Sequence, residues 1–353
     1  MHTIHELTVS SVEKNTPETV VVTLDAPSEL REEFSYSQGQ HLTLRTDING
    51  EDIRRSYSIC SSVADSELKV AIRKVEGGRF SCYANEKLKA GDRLGVLAPA
   101  GHFYVDLDKG AERTYVAFAS GSGITPIMSI IKTTLETEPN ARFLLFYGNR
   151  TKRSTIFLDE IAQLKNRFMD RLSYWHFLSQ EDLEVEFFKG RLDENKVAGI
   201  FEKIISVDQV DHAFVCGPEA MIDGVVGALG KAGLPKESIH FEKFLSEGKK
   251  TAAPKRAKEA TGLASMTLVI NGDENNVRAD KEVAILDAAI DQGLDVPFAC
   301  KGGVCCTCRA KVIEGDVEMV LNQGLEPEEV AAGYVLTCQS FAISDKVVLS
   351  YDE

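Results

Sequence analysis

Apolar and polar residues alternate in short runs over the first 107 residues of the chain. The runs at residues 19–24, 41–45 and 68–73 have the period of two that is typical of half-buried β-strands. Turns rich in glycine and aspartate separate these runs. The pattern predicts an antiparallel β-barrel or sandwich over residues 1–107.

Residues 108–245 follow a different pattern, in which apolar strands alternate with helices. The predicted strands are residues 114–119, 142–147 and 213–216, and the predicted helices include residues 124–135 and 154–168. Strands that alternate with helices along a chain form a parallel sheet covered on both faces. The second domain is therefore predicted to be an α/β domain.

The segment at residues 246–264 is rich in lysine and alanine and contains no aromatic side chain. It predicts an exposed interdomain linker, although its composition is also compatible with a helix. Residues 265–353 begin with a strand-like run at 266–270, continue with a predicted helix at 283–292 and contain a loop rich in cysteine. The chain is thus predicted to be multidomain, with an α+β domain at its end.

Composition narrows the class of protein. The chain of 353 residues is 43% hydrophobic and 27% charged, which is typical of a globular protein. It has no run of about 18 apolar residues and no signal-peptide pattern in its first ten residues, so we expect no membrane partner and a cytoplasmic location. The net charge of −14 argues against nucleic acid as a partner. It suits a protein partner with a basic docking patch, and solubility alone explains it equally well.

Cysteine spacing is the most specific signal in the last domain. Cys300, Cys305 and Cys308 form the pattern C-x4-C-x2-C, and Cys338 follows later in the same domain. This spacing is typical of a plant-type [2Fe–2S] cluster, in which four thiolates converge on two irons. The alternatives are zinc, which favours paired C-x2-C arms, and free buried cysteines.

Three further residues belong to the predicted cluster loop. Gly302 and Gly303 allow the backbone to approach the sulfides and to donate N–H hydrogen bonds to them. Cys306 adds another thiol to the loop. We interpret Cys306 as a bystander, because only the other three cysteines give both ligand spacings together.

Two segments of the first domain carry residues suited to a flavin. Arg55 offers a guanidinium to phosphate, Tyr57 offers a ring for stacking, and Ser58, on the opposite strand face, offers a hydroxyl to the flavin N5. Gly78 and Ser81 lie in a glycine-rich turn before a predicted helix, whose free N–H groups suit the flavin phosphates. Core packing of Tyr57 and an ordinary helix N-cap are the alternative interpretations.

A phosphate-binding motif follows the first predicted strand of the second domain. The sequence GSGITP contains Gly121, Gly123, Thr125 and Pro126. Its glycines allow the backbone to approach a pyrophosphate at the start of a helix, and proline is tolerated in the first helical turn. The motif differs from the usual dinucleotide fingerprint, which ends in glycine or alanine.

A second motif, Cys216-Gly217-Pro218, ends the predicted strand at 213–216 and precedes a helix. Ligands of parallel sheets bind at the carboxyl ends of the strands, so Cys216 is expected to touch the nicotinamide. A buried core cysteine is the alternative interpretation.

In this order, the motifs RxYS, GGRFS, GSGITP and CGP resemble those of the ferredoxin–NADP⁺ reductase superfamily. A ferredoxin-like domain with this cysteine loop, fused at the C-terminus, resembles the oxygenase-reductase members of the superfamily. The resemblance covers nearly the whole chain apart from the linker. It implies an FAD-binding barrel at 1–107, an NAD(P)-binding domain at 108–245 and a β-grasp ferredoxin domain at 265–353. FAD is favoured over FMN by this resemblance alone.

The resemblance also assigns roles to residues outside the motifs. Glu242 and Phe244 would close the flavin site, and Ser58, Cys216 and Glu242 would lie at the reacting rings. Arg150 would pair with the 2′-phosphate of NADPH, or else it is a solvated loop residue and NADH is the donor.

The implied activity is electron transfer from the nicotinamide through FAD and the cluster to an oxygenase. A hydride carries two electrons and the cluster accepts one, so the flavin bridges the difference. Residues 39–44 and 300–305 are similar to those of reductases that serve phenylacetyl-CoA epoxidases, which makes such an oxygenase the expected acceptor. Another oxygenase, a desaturase or a hybrid-cluster protein is an alternative acceptor, and a redox sensor without turnover is an alternative function.

Overall fold

The protein is described here by a computed structural model that covers residues 3–65, 67–244 and 261–353. Residues 246–260, which form most of the predicted linker, lie outside this description. Among the described residues, no helix is both long and apolar enough to cross a membrane.

The first domain is an antiparallel barrel, as its alternating pattern predicts. Its elements are β1 (Ile4–Thr16), β2 (Thr19–Asp25), β3 (His41–Ile48), β4 (Glu51–Ser58), β5 (Leu68–Arg73), α1 (Arg79–Glu86) and β6 (Arg93–Ala100). The strands lie in the order β4-β3-β6-β1-β2-β5. A bridge between Ile59 and Val70 joins the two outer strands and closes the barrel. Phe80 and Ala84 of α1 are buried in the barrel core.

The second domain is a five-stranded parallel sheet covered by helices on both faces. Its elements are β7 (Thr114–Ser120), α2 (Ile124–Thr137), β8 (Arg142–Asn149), α3 (Leu158–Arg167), β9 (Leu172–Leu178), α4 (Glu194–Lys203), β10 (His212–Gly217), α5 (Glu219–Ala232) and β11 (Ile239–Lys243). The order β11-β10-β7-β8-β9 reverses direction between β7 and β10. Alternate residues of β7 enter two different cores, Tyr115 and Ala117 on one face and Val116 and Phe118 on the other.

One helix of this domain is shorter than the sequence predicts. The helix expected at 154–168 begins at Leu158, because Phe157 has a left-handed backbone conformation with φ of 61°. The residues before it form a 3-10 turn, Lys152–Ser154, which the Thr151 side chain caps.

The third domain is a mixed sheet packed against one helix, the α+β arrangement expected of a β-grasp. Its elements are β12 (Leu263–Ile270), β13 (Asp273–Asp280), α6 (Ile285–Asp291), β14 (Arg309–Glu314), β15 (Val317–Met319), α7 (Pro327–Ala331), β16 (Tyr334–Leu336), β17 (Ser340–Ala342) and β18 (Lys346–Ser350). The main sheet has the order β13-β12-β18-β14-β16. Its first strand begins at Leu263, two residues before the predicted start of the domain, because Leu263 pairs with Asp280 of β13.

Candidate active site

Strand β4 carries three residues predicted to bind the flavin, namely Arg55, Tyr57 and Ser58. In register with β3, Arg55 and Tyr57 lie on one face of β4 and Ser58 lies on the other. The Tyr57 ring centroid lies 5.5 Å from that of Phe80 in α1. Arg55 Nη1 donates a hydrogen bond to the carbonyl of Arg54 at 2.7 Å. An aromatic ring and a guanidinium are therefore held side by side on one strand.

A cavity of about 710 Å³ lies between β4 and the third domain. Its basic lining residues are Arg45, Arg54, Arg55, Arg79 and Lys301. The carboxylates Asp52, Asp295 and Glu51 belong to the same lining and pair with Arg45, Arg54 and Arg79. Guanidinium groups match phosphate geometry, and the phosphate contact expected of Arg55 stays a prediction. Sequence reasoning did not assign Arg79 or Lys301 to this site. Arg79 lies inside the GGRFS motif and could have been found there, whereas Lys301 reaches the cavity only because the third domain packs over it.

The glycine-rich turn leads directly into α1, so it carries the helix N-terminus that the sequence predicts. Gly78 is the extended residue directly before the helix, with φ of −72°. The buried Ser81 hydroxyl accepts a hydrogen bond from the Val75 N–H at 3.2 Å and donates one to the Gly78 carbonyl at 3.4 Å. Ser81 thus braces the turn, and its contact with a phosphate stays a prediction.

The three residues expected at the reacting rings come together from two domains. Ser58 Oγ, at the end of β4, donates a hydrogen bond to Glu242 Oε2 at 3.3 Å. Glu242 in β11 is the register partner of Cys216 in β10. The site therefore lies where the barrel meets the carboxyl ends of two parallel strands.

The electrostatics of this group favour neutral side chains. Burial raises the pKa of Glu242 to about 8, and the hydrogen bond from Ser58 opposes this shift. Burial also raises the pKa of the Cys216 thiol, and the nearby Glu242 carboxylate raises it further. Near neutral pH, Glu242 can therefore hold a proton beside the Ser58 hydroxyl, and Cys216 is an uncharged thiol.

The GSGITP motif forms the expected turn between β7 and α2. A Cβ atom on Gly123 would lie 2.1 Å from the Cys216 carbonyl oxygen, so only glycine fits there. Gly121 has a left-handed conformation with φ of 56°, and its carbonyl accepts a hydrogen bond from the Tyr147 hydroxyl at 2.9 Å. Thr125 Oγ1 donates to the Ser122 carbonyl at 3.0 Å. Pro126 lies in the first turn of α2.

Both nucleotide motifs meet at the point where the strand order reverses. GSGITP follows β7, and Cys216-Gly217-Pro218 ends β10, the neighbouring strand. A Cβ on Gly217 would lie 2.9 Å from Met221 Cε, so a larger residue there would require the Met221 side chain to move. Pro218 directly precedes α5. In open parallel sheets, ligands usually bind in the crevice at such a reversal of strand order.

Two predicted residues lie farther from this group. Arg150 is exposed directly after β8, and its carbonyl accepts a hydrogen bond from the Gln180 N–H at 2.9 Å. Phe244 directly follows β11, and its side chain is 38% exposed. Neither takes part in the contact between Ser58 and Glu242, so their roles stay predictions.

The four predicted cluster ligands form two contacting pairs, in which Cys338, from the 3-10 turn Thr337–Gln339, joins the three cysteines of the loop before β14. Cys300 hydrogen-bonds Cys305, and Cys308 hydrogen-bonds Cys338. The Cys305 contact and the Gly302 N–H, 3.3 Å from the Cys300 sulfur, lower the pKa of Cys300 to about 6. Within the described chain, no three acidic, histidine or cysteine side chains surround a single metal position. Two pairs of thiolates with a backbone N–H donor fit the two irons of a [2Fe–2S] cluster.

Cys306 packs beside these pairs, and its thiol contacts the carbonyl of its own loop. It has a left-handed conformation with φ of 55°, and its sulfur lies near the Val304 carbonyl at 3.8 Å. A Cβ on Gly324 would lie 2.6 Å from the Cys306 sulfur, so Cys306 packs against that glycine. This packing agrees with its interpretation as a bystander.

The cluster loop packs directly on the barrel face that carries Ser58. Thr43 Oγ1 lies 3.3 Å from Thr307 Oγ1, and both side chains are buried. The His41 ring, beside Ser58 in the strand register, lies against the Cys305 backbone. Burial lowers the pKa of His41 to about 4, and the Cys305 backbone opposes this shift. The flavin strand and the predicted ligand loop are therefore in contact.

Comparisons with known proteins agree with this three-part site. Residues 6–104 match the model of the oxidoreductase FAD-binding domain, and residues 118–227 match that of the oxidoreductase NAD-binding domain. Residues 268–342 match the 2Fe-2S iron–sulfur cluster binding domain. The matches support FAD, a nicotinamide nucleotide and a [2Fe–2S] cluster as cofactors.

Similar proteins match over nearly their whole length. The chain is 43% identical to the E component of 1,2-phenylacetyl-CoA epoxidase of Escherichia coli K12, covering 100% of this chain and 99% of that protein. It is 33% identical to the ferredoxin reductase component of 3-ketosteroid-9-alpha-monooxygenase of Rhodococcus rhodochrous, covering 98% and 96%. Phthalate dioxygenase reductase has the same fold, with a TM-score of 0.61, 22% identity and coverage of 98% of both chains. The chain therefore belongs to the ferredoxin–NADP⁺ reductase family, as a member with a C-terminal [2Fe–2S] ferredoxin domain, and it is an NAD(P)H-dependent oxidoreductase.

Proposed function

We propose that the protein supplies electrons from NADPH to the oxygenase component of a phenylacetyl-CoA epoxidase, in the cytoplasm. The 43% identity to the E component of such an enzyme supports this acceptor. The observation that carries the electron-transfer role is the shared barrel face, on which Ser58 meets Glu242 while Thr43 meets Thr307 of the cluster loop. When bound, the flavin accepts two electrons as a hydride and releases them singly, which matches the capacity of one cluster.

The residues around Ser58 would orient the reacting rings. Ser58 Oγ, which donates a hydrogen bond to Glu242, would offer its hydroxyl to the flavin N5. Because the pKa of Glu242 is raised to about 8, its carboxyl can hold a proton next to this hydroxyl at neutral pH. The neutral, buried Cys216 would limit the approach of the nicotinamide and exclude water from it.

The nucleotide would bind over the turn between β7 and α2. The tight packing of Gly123 on Cys216 brings the helix N-terminus close to the end of β10, so a pyrophosphate there lies near Cys216. Arg150, exposed beyond β8, would pair with the 2′-phosphate, which is the basis for proposing NADPH rather than NADH.

The third domain is suited to a basic docking partner. Residues 261–353 contain sixteen acidic and six basic residues, so they carry −10 of the net charge of −14. Complementary charge steers protein encounters, and an acceptor with a basic patch around its electron entry point would associate fastest.

The test measures turnover of the holoprotein with NADPH and with NADH, first with cytochrome c and then with a phenylacetyl-CoA epoxidase oxygenase. Epoxide formation driven better by NADPH supports the proposed acceptor and donor. Rapid cytochrome c reduction without epoxide formation assigns the electrons to another acceptor, such as a steroid monooxygenase. If neither acceptor is reduced, the enzymatic role is wrong and a redox sensor without turnover is the remaining function.

A further inference from the structure

Arg54 connects the flavin strand to the third domain. Its side chain is only 4% exposed, although it projects from β4 beside the flavin residues. Arg54 Nη2 binds Asp295 Oδ1 at 2.8 Å, and Arg54 Nη1 donates to the Val296 carbonyl at 3.2 Å. The guanidinium also lies 4.3 Å from the centroid of the Phe298 ring. All three contacts are in the short segment between α6 and the cluster ligand Cys300.

The barrel itself already compensates the charge of Arg54. Asp52, two residues earlier on the same strand, accepts hydrogen bonds from Arg54 Nε at 3.1 Å and from Nη2 at 2.9 Å. A buried guanidinium without a carboxylate would be strongly destabilising, and Asp52 supplies a carboxylate whose contact with Arg54 does not depend on the third domain. The Asp295 contact can then form and break without leaving an unpaired buried charge.

The contact with Asp295 is sensitive to its surroundings. The Asp295 side chain is 68% exposed, so water and salt screen its attraction to Arg54. The contacts with Val296 and Phe298 are less exposed to salt and have a fixed direction, because the guanidinium is planar. Arg54 thus makes two directional contacts with the third domain, to Val296 and Phe298, and one screened ion pair, to Asp295. These three contacts are called the Arg54 clamp.

The position of Arg54 in the strand register connects this clamp to the redox site. Arg54, Ser56 and Ser58 lie on the same face of β4, since side chains alternate along a strand. Thr43, the partner of Ser56, contacts Thr307, and Ser58 contacts Glu242. One face therefore carries the clamp, the cluster-loop contact and the hydride site within five residues of β4.

We propose that Arg54 is a positioning residue, which holds the cluster loop against the flavin strand during electron transfer and whose ion pair with Asp295 sets how often the two domains are docked. The proposal rests on the proposed electron-transfer function. Arg54 itself would exchange neither electrons nor protons, and each docked period would allow one electron to pass from the bound flavin, which is oxidised by one electron, to the bound cluster, which is reduced by one. Two docked periods therefore use the two electrons of one hydride.

The test compares Asp295→Asn with Asp291→Asn. Both substitutions remove one exposed carboxylate from neighbouring positions of the third domain, and only Asp295 contacts Arg54 in the described structure. Hydrogen–deuterium exchange of the oxidised holoprotein reports docking without turnover. We expect Asp295→Asn to speed exchange in residues 293–309 by roughly two- to fivefold at low salt, and Asp291→Asn to match the wild type. Salt should speed exchange in the wild type and have little effect in Asp295→Asn.

Stopped-flow reduction by NADPH supplies the second readout. In Asp295→Asn, flavin reduction should keep its wild-type rate, and cluster reduction should slow by the same factor as docking weakens. Arg54→Lys, which keeps the charge and loses the planar fork, should slow cluster reduction in the same way. The proposal is wrong if Asp295→Asn exchanges and transfers electrons like the wild type, or if Asp291→Asn shows equal changes. If Asp295→Asn changes the exchange rates but the wild type reduces no acceptor, the positioning role of Arg54 stands and the proposed electron-transfer function is wrong.

Discussion

Replacing Gly123 by alanine tests how closely the nucleotide turn must approach β10. The new Cβ would lie 2.1 Å from the Cys216 oxygen, 2.4 Å from the Cys216 carbonyl carbon and 2.8 Å from the Gly217 nitrogen. All three colliding atoms belong to the backbone, so no side-chain rotation relieves the clash. Carbon and oxygen atoms pack at separations above about 3 Å, and the turn must therefore move by roughly 1 Å.

The expected cost follows from this displacement. Overpacking a well-packed site costs about 1–3 kcal/mol, and a backbone clash belongs at the upper end of that range. A misplacement of roughly 1 Å also lowers the rate of a well-oriented reaction by about 100-fold. Gly123→Ala should thus lose about 3 kcal/mol of unfolding free energy and show strongly slowed flavin reduction by NADPH.

Gly227→Ala is the matched control. Gly227 lies inside α5, and a Cβ there would meet no atom within 4 Å. Alanine in a helix interior is more favourable than glycine by about 0.5–1 kcal/mol, so this variant should be slightly more stable and equally active. Urea unfolding and stopped-flow flavin bleaching measure both effects. Wild-type stability and a wild-type hydride-transfer rate in Gly123→Ala would refute the close approach.

Three further predictions concern other parts of the site. The pKa of Glu242 is raised from its ordinary 4.5 to about 8, so the folded protein keeps a proton that the unfolded chain loses, and this contribution to stability falls as the pH rises through that window. Glu242→Gln should remove this pH dependence, and urea unfolding at about pH 5 and pH 9 measures it. An equal change in unfolding free energy between the two pH values in wild type and variant would contradict the raised pKa. Cys306→Ala should keep the visible absorbance and iron content of the cluster, whereas Cys305→Ser should lose them; a loss in both variants would place Cys306 among the ligands. Arg150→Ala should raise KM for NADPH roughly tenfold or more and leave KM for NADH unchanged, and equal effects on both nucleotides would dismiss the 2′-phosphate contact.

Much of the fold could be predicted because its signals are local. Alternation with a period of two predicted the barrel strands, and the change to alternating strands and helices predicted the parallel sheet. The spacing of Cys300, Cys305 and Cys308 similarly indicated a cluster loop, since ligand spacing is a property of the chain itself. The left-handed conformation of Phe157 could not be predicted, because a bulky residue rarely adopts it and no neighbouring residue signals it.

The contacts between domains could not be predicted from these local patterns. Arg54 stands next to the RxYS motif, yet its partners Asp295 and Phe298 lie more than 200 residues away in the chain. The hydrogen bonds of the Ser81 hydroxyl within its own turn could not be predicted from the motif either, and its phosphate contact stays a prediction. Sequence patterns identify residue types suited to a ligand, and folding decides which of their polar groups remain available.

In the proposed function, electrons pass from the nicotinamide through the flavin and then through the cluster to the oxygenase. The most direct test compares the wild type with Cys305→Ser in NADPH-driven epoxidation of phenylacetyl-CoA by the oxygenase component, with ferricyanide reduction as the measure of flavin turnover. We expect Cys305→Ser to reduce ferricyanide at the wild-type rate and to support no epoxide formation. Epoxide formation at the wild-type rate without the cluster would contradict this route.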